Sequence, residues 1–122
     1  MSLDMTAYDL DKCRDGVWHD IRGGKFKIAY LYNVKRIDEI ERIGKEKGES
    51  QIDITWKQCD ALAEEVMRDW QEVDGKDQHG NKVLIPFSIE AAKQLLKMEL
   101  ELSADILRRS RLTHHFRKEG GK

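Results

Sequence analysis

The chain reads as an α+β fold, mainly α-helical, with an N-terminal β-hairpin packed on a small bundle of about four helices. Three observations predict this. Phe26, Ile28, Tyr30 and Tyr32 alternate at period two directly after Gly23-Gly24, the pattern of a strand leaving a tight turn. Apolar residues spaced three or four apart then recur from Val34 to Leu107, broken by clusters of glycine and polar residues. Finally, 122 residues suit one hydrophobic core rather than two.

The elements follow in order. Residues 1 to 12 show no sustained period and leave a short helix or an ordered arm open. Val17 to Ile21 and Phe26 to Tyr32 form the hairpin, with Gly23-Gly24 supplying the positive φ angles of its turn. Two strands alone are marginal in water, so the aromatic face needs helices or another copy to cover it. Asn33 suits a helix cap, and Val34, Ile37, Ile40 and Ile43 make an amphipathic helix that ends among Gly44 and Gly48. Lys45 to Gln51 reads as a polar connection. Thr55 and Gln58 form a capping-box pattern, after which Trp56, Cys59, Ala63, Val66 and Trp70 predict a helix ending at Asp69-Trp70, with Trp56 in the core. Asp74-Gly75 and His79-Gly80-Asn81 predict a loop or small hairpin. Pro86 makes Ile85 extended, and Ser88 caps a helix carrying Ala92, Leu95 and Leu96, which Leu100, Leu102, Ile106 and Leu107 continue with a bend near Met98 to Ser103. The domain is expected over 1–110, with 111–122 a basic flexible tail.

Hydrophobic residues make up 39% and charged residues 37%, so the core is modest and the surface strongly charged. A domain of this kind gains stability by self-association, and a homo-oligomer is expected. Net charge is only −1, which excludes a global field built for nucleic acid or membrane. The tail is basic, with six Lys or Arg from Arg108 onward against Glu119. It carries no recognisable reading motif, and a solvated end outweighs phosphate binding. No apolar run reaches the roughly 18 residues of a membrane span, and the N-terminus has no signal-peptide core. Cys13 and Cys59 stand alone without metal or disulfide spacing, as expected of reduced thiols in the cytoplasm.

Catalytic chemistry finds no support. Gly23-Gly24 lacks phosphate-loop spacing, Cys59 lies on an apolar helix face, and the acids sit among lysines and arginines. His19, His79, His114 and His115 show no paired-ligand spacing with Cys13 or Asp20, so neither a metal nor another cofactor is expected. The chain reads as a non-enzymatic binding protein. Trp18 on the hairpin and Trp70 beside the loop are open to either core packing or a partner surface.

The order of pieces resembles a known family. Gly16-Val17-Trp18, the strand Phe26 to Tyr32 with Asn33, Asp69-Trp70-x-x-Val73, Asp74-Gly75 and Ile85-Pro86-Phe87-Ser88-x-Glu90 together resemble the tail assembly chaperones of long-tailed, non-contractile bacteriophages and prophages. The match departs at Glu72, where the family often has glycine, and in the longer loop Lys76 to His79. The resemblance implies a protein of the host bacterial cytoplasm that coats the tape-measure protein while tail tube subunits polymerise, and that is absent from the mature virion. It also implies self-association, and an extended frameshift form whose added domain recruits tail tube protein. Trp18, Phe26, Tyr30, Trp70, Val73, Pro86 and Phe87 are the candidate residues for partner binding or self-association. A structural minor tail or head-completion protein is the alternative, with a nucleic-acid-binding regulator acting through Arg108, Arg109, Arg111, Arg117 and Lys118 behind it.

Overall fold

The computed structural model describes residues 7–118. It is an α+β fold, mainly helical: a three-stranded antiparallel sheet lies against five α-helices, and a separate two-stranded hairpin sits between the third and fourth. The segment left open in the sequence contains a short helix, α1 (Leu10–Asp15), because the Asp9 carboxylate accepts from the amides of Asp11 and Lys12.

Strands β1 (Val17–Ile21) and β2 (Gly24–Ile28) form the expected hairpin, with a turn displaced by one residue. The positive φ angles fall on Arg22, at 53°, and Gly23, at 87°, the two central positions of a two-residue type I′ turn. Strand β2 also stops at Ile28 rather than at Tyr32. A register shift at Lys27–Ile28 breaks the alternation, and the next three amides donate to three different elements: Ala29 to Val66, Tyr30 to Cys13 and Leu31 to Ser110. Leu31 is therefore buried, while Tyr32 is turned out to solvent.

Helix α2 (Val34–Glu46) starts where Asn33 caps the Arg36 amide, and α3 (Gln51–Val66) follows after a turn at Gly48. Two expectations are corrected here. The cap of α3 is Ser50, whose hydroxyl accepts from Asp53, so Thr55 lies inside the helix and the polar connection is shorter than expected. The helix also ends at Val66 rather than at Asp69-Trp70. Met67–Gln71 is instead strand β3, antiparallel to β2 with Trp70 opposite Phe26. Pairing with the aromatic hairpin outweighs the helical spacing of Val66 and Trp70, which both point inward in either conformation. Trp56, expected in the core, is 44% exposed.

Strands β4 (Asp74–Lys76) and β5 (Lys82–Leu84) make the small hairpin. Ser88 caps α4 (Ile89–Met98), and after a break at Glu99 the chain continues as α5 (Leu100–Arg111). Ser103 holds the break together by donating to the Leu96 carbonyl at 2.7 Å, one of the carbonyls that the end of α4 leaves unpaired. The core gathers Ile21, Phe26, Ile28, Leu62, Val66, Leu96 and Ile106 between sheet and helices. Outside it, Glu64 bridges Arg36 of α2 and Lys93 of α4, so a single α3 carboxylate ties three helices. Lys93 first, and then Arg36, holds that carboxyl below its ordinary range.

The segment expected as a basic flexible tail at 111–122 packs against the domain over its described part. Residues 113–116 form a 3₁₀ turn that buries Phe116, and Tyr8 and Arg117 pair as an isolated antiparallel bridge. Residues 1–6, within the segment left open, and 119–122, the rest of the predicted tail, lie outside the described residues. Among the described residues, no helix is long and apolar enough to cross a membrane.

Candidate functional site

The seven residues singled out in the sequence divide into three places. Phe26, Trp70 and Phe87 form an edge-to-face aromatic row, with centroids 6.3 Å apart for Phe26–Trp70 and 5.2 Å for Trp70–Phe87. Val73 lies half-buried beside them and its carbonyl accepts from the Ile85 amide at 2.8 Å, while Pro86 is exposed. Phe26 and Trp70 are buried, so their role is to pin the 73–87 segment onto the sheet rather than to meet a partner. Tyr30 is elsewhere, half-buried between Tyr32 and Phe116. Trp18 stands on the outer face of the sheet and is 42% exposed.

A different surface has the form of a binding site. Helices α2, α3 and α5 leave a groove of about 350 Å³, with Ile37, Cys59, Leu62, Leu100 and Leu107 along it. Several of its polar groups are turned inward. The Gln58 amide donates to the Ile37 carbonyl at 3.2 Å, and the Cys59 thiol faces the Leu96 carbonyl at 3.5 Å beside the Ser103 hydroxyl. Toward solvent the groove presents mainly apolar side chains, including Leu100 at 43% exposure, with the exposed Asp38 and the half-buried Thr55 on its wall. Along α5 the groove continues past Ala104 and Leu107 to Arg108, Arg111 and Leu112, so its far end is basic. The mainly apolar lining suits one face of an amphipathic helix, whose apolar residues recur every three or four positions. Periodicity could mark each wall of this groove as apolar. It could not show that Leu100 stays exposed or that Leu107, half-buried against the core, also faces the groove, because the three walls come from segments far apart in the chain.

Burial raises the Cys59 thiol above its ordinary range, which keeps it protonated and unreactive. Among the described residues, no group of three or more His, Cys, Asp and Glu side chains gathers as a metal ion would require. The basic residues of α5 are partly engaged: Arg108 pairs with Asp105, and Arg109 donates to Nδ1 of His19 at 3.1 Å.

Comparison with known families matches residues 22–122 to the YdaY prophage protein family. The chain belongs to that family. The matched region runs from the hairpin turn through every wall of the α2–α3–α5 groove, while α1 and β1 precede the match. Membership makes this a prophage protein. Comparisons with curated proteins and with solved structures return no match.

Proposed function

We propose that this prophage protein is a tail assembly chaperone that binds amphipathic helices of the tape-measure protein and keeps them soluble while the tail tube forms. The observation that carries this reading is the α2–α3–α5 groove, whose lining is mainly apolar and whose Gln58, Cys59 and Ser103 side chains are bonded within the domain. A tape-measure helix laid there would bury Leu100 and Leu107 and bring its acidic residues to Arg108 and Arg111. Binding of this kind is reversible, because the groove is shallow and its rim charged. That suits a factor that must leave before the tail is complete, and it asks for no catalytic group. Prophage membership and the resemblance of Asp69-Trp70-x-x-Val73 and Ile85-Pro86-Phe87-Ser88 to phage tail assembly chaperones support the same reading.

The test is coexpression with the tape-measure protein encoded in the same prophage. The expected result is a soluble complex that Leu100→Glu and Leu107→Glu each abolish while the variant chain keeps its helical circular dichroism. A tape-measure protein equally insoluble with and without this chain would overturn the proposal. Detection of the chain in purified mature particles would replace it with a structural role in the virion.

A further inference from the structure

We infer that β1 is a self-association edge, along which two copies of this chain pair antiparallel about a two-fold axis at His19, joining their sheets into one of six strands. The inference is independent of the groove and of what the groove binds.

The argument begins with the hairpin. Its two-residue turn closes on the pair Ile21 and Gly24, which makes this a hydrogen-bonded pair. Alternation then gives Val17–Ile28 and His19–Phe26 the same character, so the amides and carbonyls of Val17, His19 and Ile21 face β2. Those of Trp18 and Asp20 face away from it. Strand β1 is an outer strand, and among the described residues nothing hydrogen-bonds those outward groups. Val17–Ile21 contains no proline, no bulge and no lysine, and Asp20 is its one charged side chain.

The edge is complementary to itself. With the axis at His19, Trp18 of each copy lies opposite the partner's Asp20, and four outward backbone groups on each side meet in register. On the outer face each row then runs Asp69, Lys27, Trp18, the partner's Asp20, the partner's Lys25 and the partner's Gln71. Acid and base alternate along that row on either side of the tryptophan. Like charges meet nowhere in it. Trp18 and the partner's Trp18 become diagonal neighbours, about 7–8 Å apart and within reach for aromatic side chains. This accounts for a large apolar side chain standing on an otherwise charged sheet face. At the centre, His19 meets the partner's His19 as a neutral ring, because Arg109 donates to its Nδ1.

The test is the mass in solution of the full chain, followed by light scattering or sedimentation across concentration. The expected species is a dimer of the 14.2 kDa chain that dissociates on dilution, with amides of Trp18 and Asp20 protected from hydrogen exchange only in the dimer. Asp20→Pro removes an outward donor and leaves the β2 ladder intact, so it should give a folded monomer. Trp18→Glu, which alters no backbone group and sets an acid opposite the partner's Asp20, should weaken the dimer at least tenfold and keeps the test decisive if the proline variant fails to fold. A monomer at 0.1 mM, or a dimer that survives both substitutions, would overturn the inference. So would dimer formation with exchange at Trp18 and Asp20 unchanged.

Discussion

The indole Nε1 of Trp70 donates to the carbonyl oxygen of Ile85 across 2.7 Å, so the strand that closes the sheet also fixes the chain where it enters α4. Replacing Trp70 by Phe keeps an aromatic ring against Phe26 and Phe87 but leaves that carbonyl without its donor and opens a small cavity. The expected loss is about 2–4 kcal/mol, read as a lower urea midpoint.

Helices α2 and α3 approach most closely at Gly44, where an added Cβ would lie 2.5 Å from Cγ1 of the buried Ile54. Gly44→Ala gains helix propensity, about 1 kcal/mol, yet overpacking costs about 1–3 kcal/mol, so a net loss is expected. Chemical denaturation of the single and double variants checks the cause. Combined with Ile54→Ala, the glycine substitution should cost less than it does alone.

Glu72 holds a φ of 60°, a left-handed conformation that side chains other than glycine adopt at a cost. The phage chaperones that this sequence resembles often have glycine at that point. Glu72→Gly should therefore raise stability by up to about 1 kcal/mol, seen as a higher thermal midpoint, whereas Glu72→Val should lower it.

His19 should make the fold sensitive to acid. Burial first, then the neighbouring His115, Arg109 and His114, lowers its pKa from 6.5 to about 4. His115 is lowered too, chiefly by burial. The unfolded chain thus binds more protons than the folded one in this window, and stability rises with pH there. It should be complete above pH 6.5 and fall as the pH drops toward 4. Urea midpoints at pH 7.5 and 5 should differ in the wild-type chain, and less so in His19→Gln.

The parts legible in the sequence are those whose signals are local. Asn33 and Ser88 cap helices, Asp74-Gly75 begins a hairpin, and the slip of phase after Met98 marks a true break at Glu99. The misreadings share one cause. From Val66 to Trp70 a helical spacing continues into a strand, because both residues are buried in either conformation and only the pairing with Phe26 decides. Tyr32 was placed with Phe26 by alternation, but the register shift at Ile28 and the separate partners of Ala29, Tyr30 and Leu31 reverse the face. Phe116 stands alone among basic residues in the sequence, and the contacts that bury it come from the N-terminal part of the chain, including Tyr30. The groove was hidden for the same reason: its walls meet only after folding.

The pairing of Tyr8 with Arg117 has a consequence for chain topology. The Asp9 amide donates to the Phe116 carbonyl at 2.9 Å, the Lys118 amide to Ala7 at 3.2 Å, and the Lys12 ammonium reaches the Arg117 carbonyl over 105 positions of sequence. Such contacts close almost the largest loop that the chain can make, so their entropy is recovered only after the sheet and helices are in place. They should therefore form last and open first, which hydrogen exchange at the Asp9 and Lys118 amides would show as the fastest among bonded amides. Positions 7 and 118 thereby leave the domain side by side, so a circular permutant joining them through a short linker, with new ends in the exposed turn at Gly80, should keep the fold.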